Sequence, residues 1–125
     1  MIKFIQSYFN YKDDRGSIQG IINQGNWREV NLIESDKGVI RGNHYHKSSK
    51  ELFIIIEGQI EVVVERVGKK SSNKETYTVK AGDVFLIEPM VLHSFNVLTK
   101  AKWLNMLNKR IEQANPDIHR ITQHV

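Results

Sequence analysis

Four side chains carry donor atoms at spacings that can converge: His44, His46, Glu51 and, much later in the chain, His93. On a strand, residues two apart point to the same side, so His44 and His46 can aim their rings at one point. Glu51 lies an odd number of residues beyond His46 and would face away on an unbroken strand. The polar run Lys47 to Lys50 supplies a turn that returns it to that side. His93 arrives from a later strand, after Gly82 and Pro89. Three imidazoles and a carboxylate form an N/O donor set suited to Zn, Fe, Mn, Ni or Co, with coordination positions left for water or substrate. Without a metal the same imidazoles offer acid–base chemistry, because a neutral imidazole takes a proton near neutral pH.

The composition narrows how such a site can be built. The chain has 125 residues, no cysteine and five histidines, and its 18 Lys+Arg against 14 Asp+Glu give a formal net charge of +4. Without cysteine there are no disulfides, iron–sulfur clusters or thiolate zinc sites, so any transition metal is held by histidine, carboxylate and water. A domain of this length buries roughly two-thirds of the surface its unfolded chain exposes, enough for a core without covalent staples. The basic residues are dispersed: Lys69, Lys70 and Lys74 fall with Gly68, Ser71, Ser72 and Asn73 in a solvated turn. No basic stripe interleaved with aromatics marks a nucleic-acid partner. No apolar run approaches the roughly 20 residues that span a bilayer. Met1 to Tyr11 has neither the basic start nor the small-residue cleavage site of a signal peptide. The expectation is a cytoplasmic protein with neither a nucleic-acid nor a membrane partner.

The elements that must position the donors are short strands. Leu52 to Ile56 and Gln59 to Val67 flank Glu57–Gly58, a pattern that predicts a β-hairpin. Ile60, Val62 and Val64 share one face of its second strand. Further strands are predicted at Thr76 to Val79, Val84 to Ile87, Ser94 to Leu98 and Lys102 to Leu107, with two more, Gly20 to Gln24 and Glu29 to Glu34, around a Gly25–Asn26 turn. Strands this short, without crossover helices, predict an all-β barrel or sandwich. The polar tail from Lys109 is expected as a short helix or a surface wrap, with His119 and His124 solvated. Met1 to Phe9 is either a strand exchanged between copies or one packed on its own barrel. The whole chain, 1–125, reads as a single domain with its barrel core at about 28–108.

The pattern Gly38, His44, His46, Glu51, Gly58 resembles the first motif of the cupin superfamily at every spacing, and Gly82 to His93 resembles the second. Within the second motif Pro89 is one place late, Met90 stands where glycine is usual, and Asn96 is one place early. The resemblance implies a cupin jelly-roll β-barrel, a homodimer, and His44, His46, Glu51 and His93 as ligands of a divalent transition metal. A finer resemblance points toward a substrate. Asp13-Asp14-Arg15-Gly16-Ser17, Lys37 to Tyr45 and His93 to Leu98 resemble blocks of dTDP-4-dehydrorhamnose 3,5-epimerases, with Asn105 where those enzymes carry a tyrosine acid. Arg41 to Lys47 resembles the corresponding block of dTDP-sugar 3,4-ketoisomerases. The run Arg41-Gly42-Asn43-His44, with His46 and Glu51, resembles the metal cupin domain of capsular polysaccharide reductases, as does the tail Asn115-Pro116-Asp117.

These resemblances imply a metal-binding isomerase or epimerase acting on a nucleotide-linked keto-deoxy sugar for surface polysaccharide. They imply Arg15, Arg41 and Asn43 as substrate contacts. Arginine suits that role because it makes bidentate, charge-assisted bonds to phosphate oxygens. If no metal binds, His44 or His46 is the base; if one does, a bound water or another residue such as Tyr45 moves the proton. An Fe(II)-dependent cupin dioxygenase and a non-catalytic sugar-binding cupin are the alternatives from other classes.

Overall fold

The computed structural model describes residues 1–68 and 73–121; the expected turn at Lys69, Lys70, Ser71 and Ser72 and the expected place of His124 lie outside the described residues. Eleven strands are present among them: Ile2–Phe4 (β1), Phe9–Asp13 (β2), Gly16–Gly20 (β3), Glu29–Ser35 (β4), Ile40–His44 (β5), Glu51–Glu57 (β6), Gln59–Arg66 (β7), Glu75–Lys80 (β8), Val84–Ile87 (β9), Val91–Val97 (β10) and Ala101–Leu107 (β11). They form a five-stranded sheet in the order β1-β9-β6-β11-β4, a four-stranded sheet in the order β5-β10-β7-β8, and a separate β2-β3 ribbon. The two larger sheets face each other as a cupin jelly-roll, all-β as expected. The core lies between them. It includes Ile60, Val62 and Val64 of β7, Phe85 of β9, Phe95 of β10 and Trp103 of β11.

The predicted hairpin at Glu57–Gly58 does not form. β6 and β7 are consecutive but lie in different sheets. Glu51 to Ile55 are all buried, so β6 is covered on both faces. Such a strand belongs in a sheet centre, and β9 and β11 occupy both its edges. The chain therefore crosses to the facing sheet at Gly58, whose φ is +91°. A Cβ there would collide with the Lys100 carbonyl and with Ala101.

The Gly25–Asn26 turn is also not a hairpin. Residues 21–24 form no strand, and Ile21, Ile22 and Trp27 instead cover Leu52, Ile54 and Val84 on the outer face of the large sheet. The Trp27 ring lies where a side chain on Gly25 would stand, 2.8 Å from an added Cβ. The N-terminal hairpin turns at Asp14–Arg15 instead, pairing Asp13 with Gly16. β1 pairs antiparallel with β9 of its own chain. Among its described residues, to Ile121, the tail forms no helix and wraps the barrel surface. No helix among the described residues is long and apolar enough to cross a membrane.

Candidate metal centre

β5 and β10 pair antiparallel with His44 opposite His93, which sends both rings into the space between the sheets. His46 follows two residues later, and the turn 47–50 returns the chain so that Glu51 opens β6 on the opposite sheet. The ring centroids lie 5.1 Å (His44–His46), 4.7 Å (His44–His93) and 5.6 Å (His46–His93) apart. One donor atom from each of the four side chains falls within 4.8 Å of all the others. His46, Glu51 and His93 are each at most 5 % exposed.

The hydrogen bonds around the cluster leave its centre unsatisfied. His93 Nδ1–H donates to the Val91 carbonyl (3.0 Å) and His46 Nδ1–H to the Asp117 carbonyl (2.5 Å), so each ring has Nε2 free for the cluster. Glu51 Oε1 is 2.5 Å from His46 Nε2 and 3.2 Å from His93 Nε2. Yet His44 Nδ1, His46 Nε2 and Glu51 Oε1 are buried without a hydrogen-bond partner of acceptable geometry. A buried polar atom left without a partner costs about 1–3 kcal/mol. Four donor side chains this close together, with the outer nitrogens of two imidazoles engaged by backbone carbonyls, match the donor set and second shell of a divalent transition-metal site.

Electrostatics follow from this crowding. Burial, reinforced by the neighbouring His93 and His46, pushes the His44 imidazole down to about 4, so it is neutral at pH 7. Burial also pulls His46 down, but the adjacent Glu51 carboxylate and the Asp117 carbonyl outweigh it and the net shift is upward. Burial raises the Glu51 carboxyl, while His46 and His93 more than reverse this and hold it well below the usual carboxylate range.

The cavity in front of the cluster has a volume of about 260 Å³ and includes Arg41, Phe53, Phe95 and Asn105 in its lining. Arg41 reaches it through a β-bulge. It is three residues from His44 and would face away on a regular strand, but the register slips between His93 and Ser94, leaving Asn43 as the extra residue. Gly42 and Asn43 both have positive φ, +83° and +57°, and a Cβ on Gly42 would come within 3.0 Å of the His93 carbonyl. Arg41 thus pairs with inward-facing Phe95. Its guanidinium donates to Ser35 Oγ (3.1 Å) and to the Glu34 carbonyl (3.0 Å).

The other expected substrate contacts lie elsewhere. Asn43 is not part of the cavity wall, and Arg15 sits exposed in the β2–β3 turn, paired with Asp13 at 2.7 Å. Tyr45 also lies off the wall, its ring centroid 5.4 Å from that of His119. The structure therefore gathers His44, His46, Glu51, His93 and Arg41 but not Arg15, Asn43 or Tyr45.

Three features of the site were not read from the sequence as functional. Asn105 donates to Glu51 Oε2, and Asn31 donates to both Asn105 Oδ1 (2.9 Å) and Glu29 Oε2 (3.0 Å). A polar chain therefore links the cluster to a second carboxylate on the cavity wall. Asp117 in the tail accepts from the turn after His46, and His119, expected as solvated, is half-buried with Nε2 2.9 Å from Asp117 Oδ1. Met90, standing where cupins usually carry glycine, has φ +64°. The backbone there demands the left-handed region whatever residue occupies it.

The fold and the converging histidines and glutamate define a cupin barrel. Within that class, the chain belongs to the polysaccharide biosynthesis C-terminal domain family, whose model matches residues 11–119. No curated protein matches it. Among solved structures it is similar to the capsular polysaccharide assembling protein CapF from Staphylococcus aureus (23 % identity, TM-score 0.70), covering 90 % of this chain and 34 % of that one. The chain thus spans about a third of CapF. It is also similar to a mutant of the 3,4-ketoisomerase QdtA from Thermoanaerobacterium thermosaccharolyticum in complex with TDP-4-keto-6-deoxyglucose (18 % identity, TM-score 0.76, covering 96 % of this chain and 87 % of that one). A third is the TDP-quinovose 3,4-ketoisomerase WlaRB from Campylobacter jejuni (19 % identity, TM-score 0.77, covering 96 % and 92 %). At these identities the likeness establishes the fold.

Proposed function

We propose that this domain binds a divalent transition metal through His44, His46, Glu51 and His93 and acts on a nucleotide-linked keto-deoxy sugar as an isomerase or epimerase of surface polysaccharide synthesis. The observation that carries the metal reading is the convergence of one donor atom from each of His44, His46, Glu51 and His93 to within 4.8 Å of one another, with His46, Glu51 and His93 buried. The substrate class is supported by the family and by the fold shared with enzymes solved with such sugars. Bound there, the metal supplies Lewis-acid polarisation of a sugar carbonyl.

The chain's own residues divide the remaining work. Phe53, Phe95 and Trp103 give the cavity apolar walls that limit water. Arg41, already oriented by Ser35 and the Glu34 carbonyl, binds an oxyanion or phosphate at the mouth. With the imidazoles engaged as ligands, Glu29, a carboxylate on the cavity wall that is not a member of the cluster, takes the proton alpha to the carbonyl and, as its conjugate acid, returns a proton to carbon to complete the isomerisation. Glu29 is held by Asn31 and by the Ile111 N–H (3.1 Å). We also read the protein as a cytoplasmic homodimer. Exposed Tyr8, Phe9, Tyr11 and Ile18 around the β2–β3 ribbon, and Val30 and Leu32 on β4, support the dimer as apolar surface for a second copy.

The test is elemental analysis of the purified protein, followed by incubation with TDP-4-keto-6-deoxyglucose in deuterated water. Expected are one metal per chain and deuterium entering the sugar ring. Glu29→Gln should lower the exchange rate by about 10²–10⁴-fold with metal content unchanged. Tight binding of the sugar nucleotide with no deuterium uptake makes the protein a sugar-binding module instead. Absence of stoichiometric metal returns His44 and His46 to acid–base roles.

A further inference from the structure

Asp117 is not among the four converging donors, yet it holds two of them in relation to each other. Its carboxylate accepts from three consecutive backbone N–H groups, Lys47 (2.8 Å), Ser48 (3.0 Å) and Ser49 (3.0 Å), and from the hydroxyls of Ser48 and Ser49, both at 3.0 Å. These residues form the turn that must carry the chain from His46 back to Glu51. Ser49 is 2 % exposed with Asp117 in place, so the carboxylate, and not water, satisfies that N–H and hydroxyl. Three amides converging on one point make an anion cradle, and the anion that fills it comes from 68 residues further along the chain. The same residue's carbonyl accepts from His46 Nδ1, which leaves Nε2 as the nitrogen facing Glu51.

The tail around Asp117 is anchored on both sides. His119 and Tyr45 form a two-way backbone bridge at 2.9 Å, and Arg120 donates to the Gly42 carbonyl (2.9 Å) at the bulge. Upstream, Ile111 N–H is bound to Glu29. Ile111 and Ile118 are part of the cavity wall. Tail docking and ligand geometry are therefore one structural event.

We propose that Asp117 is the positioning residue of this centre: its carboxylate shapes the turn that returns Glu51 to His46, and its carbonyl sets His46 as an Nε2 donor. The metal-affinity consequence rests on the metal reading above; the effect on the His46 tautomer does not. Because coupling is reciprocal, metal binding also tightens the tail against the barrel.

The test compares wild type, Asp117→Ala and Asp117→Asn in two measurements. Co(II) is titrated against a competing chelator, with its visible absorption recorded. The imidazole nitrogens of the metal-free proteins are read by long-range ¹H–¹⁵N NMR. Asp117→Ala should lose about 10–100-fold in Co(II) affinity, the range typical of outer-shell partners, with altered Co(II) bands. The Ala variant keeps the main-chain carbonyl of residue 117 but loses the carboxylate contacts that hold that carbonyl on His46 Nδ1, so in the metal-free form its His46 should lose the preference for a proton on Nδ1. Asp117→Asn, whose amide oxygen still accepts part of the cradle, should fall between the two. If Asp117→Ala does not fold by circular dichroism, Asp117→Asn decides. Wild-type affinity, Co(II) bands and His46 protonation in the folded variants overturn the proposal. If wild type itself takes up no Co(II), the metal reading fails and the NMR arm alone judges Asp117: an unchanged His46 in the variants overturns it, a lost Nδ1 preference supports it.

Discussion

The barrel interior has two halves built by the same strands. β6 gives Glu51 to one and Phe53 and Ile55 to the other; β10 gives His93 to one and Phe95 and Val97 to the other; β11 divides Asn105 from Trp103 in the same way. Burial does not distinguish them, since His93 and Phe95 are both 2 % exposed and Glu51 and Phe53 both 4 %. What burial requires does. The apolar half closes on ring contacts, Phe53–Phe85 at 5.2 Å, Phe53–Phe95 at 4.9 Å and Phe95–Trp103 at 5.5 Å, and leaves only Trp103 Nε1 unpartnered there among the described residues. The polar half leaves three such atoms, on His44, His46 and Glu51. The first half stabilises the fold, and the second is the half that the proposed metal would complete.

The largest effect that tests this division is Phe85→Ala. It should cost about 3–5 kcal/mol in urea unfolding, by the same amount in metal-free and metal-loaded protein; a cost that appears only in one form would break the separation of the halves. Glu51→Gln is its counterpart. It should weaken Zn(II) or Co(II) binding by more than the ~10–100-fold of an outer-shell change, while lowering metal-free stability less than Phe85→Ala does. Isothermal titration and urea curves on the same samples check both numbers.

The pH dependence of the metal-free protein is smaller and has two arms. His44 is held down to about 4, below the ordinary imidazole value of roughly 6.5, so the unfolded state binds more protons between them and stability falls as pH drops through that window. Glu51, held low, extends the loss below its ordinary range. His46 is raised, so its contribution is present below about pH 6.5 and is lost as pH rises through its folded value. Unfolding free energy should therefore peak near the ordinary histidine value. His44→Gln should flatten the arm from pH 6.5 down towards 4, and His46→Gln the alkaline one; a profile unmoved by either variant contradicts the assignment.

The smallest effect is at Met90. A methionine in the left-handed region is strained, so Met90→Gly should raise the unfolding free energy by up to about 1 kcal/mol without changing metal affinity.

Much of the site was legible because its placement rests on local parity. His44 and His46 share a face, the polar run after them bends the chain, and the alternation in β7 and β10 points apolar residues inward. Arg41 reaches the cavity only because Asn43 is an extra residue against β10, and a bulge is visible only when the partner strand is known. Glu57–Gly58 reads as a hairpin because local pattern does not say that both edges of β6 are already occupied. Asp117 stands in a polar tail where nothing nearby indicates a ligand-positioning carboxylate.

The sequence by itself determined the four candidate donors, their cysteine-free N/O character, the all-β class and, away from bulges, the face each residue takes within its strand. These depend on residue type and on a two-residue period, both local properties. Only the tertiary structure decided which strands pair, that the chain crosses sheets at Gly58, that Arg41 joins the cavity, and that a tail carboxylate closes the turn between His46 and Glu51. Those outcomes depend on which backbone edges and amides remain unsatisfied after the rest of the chain has packed, and that is settled by contacts between residues far apart in sequence.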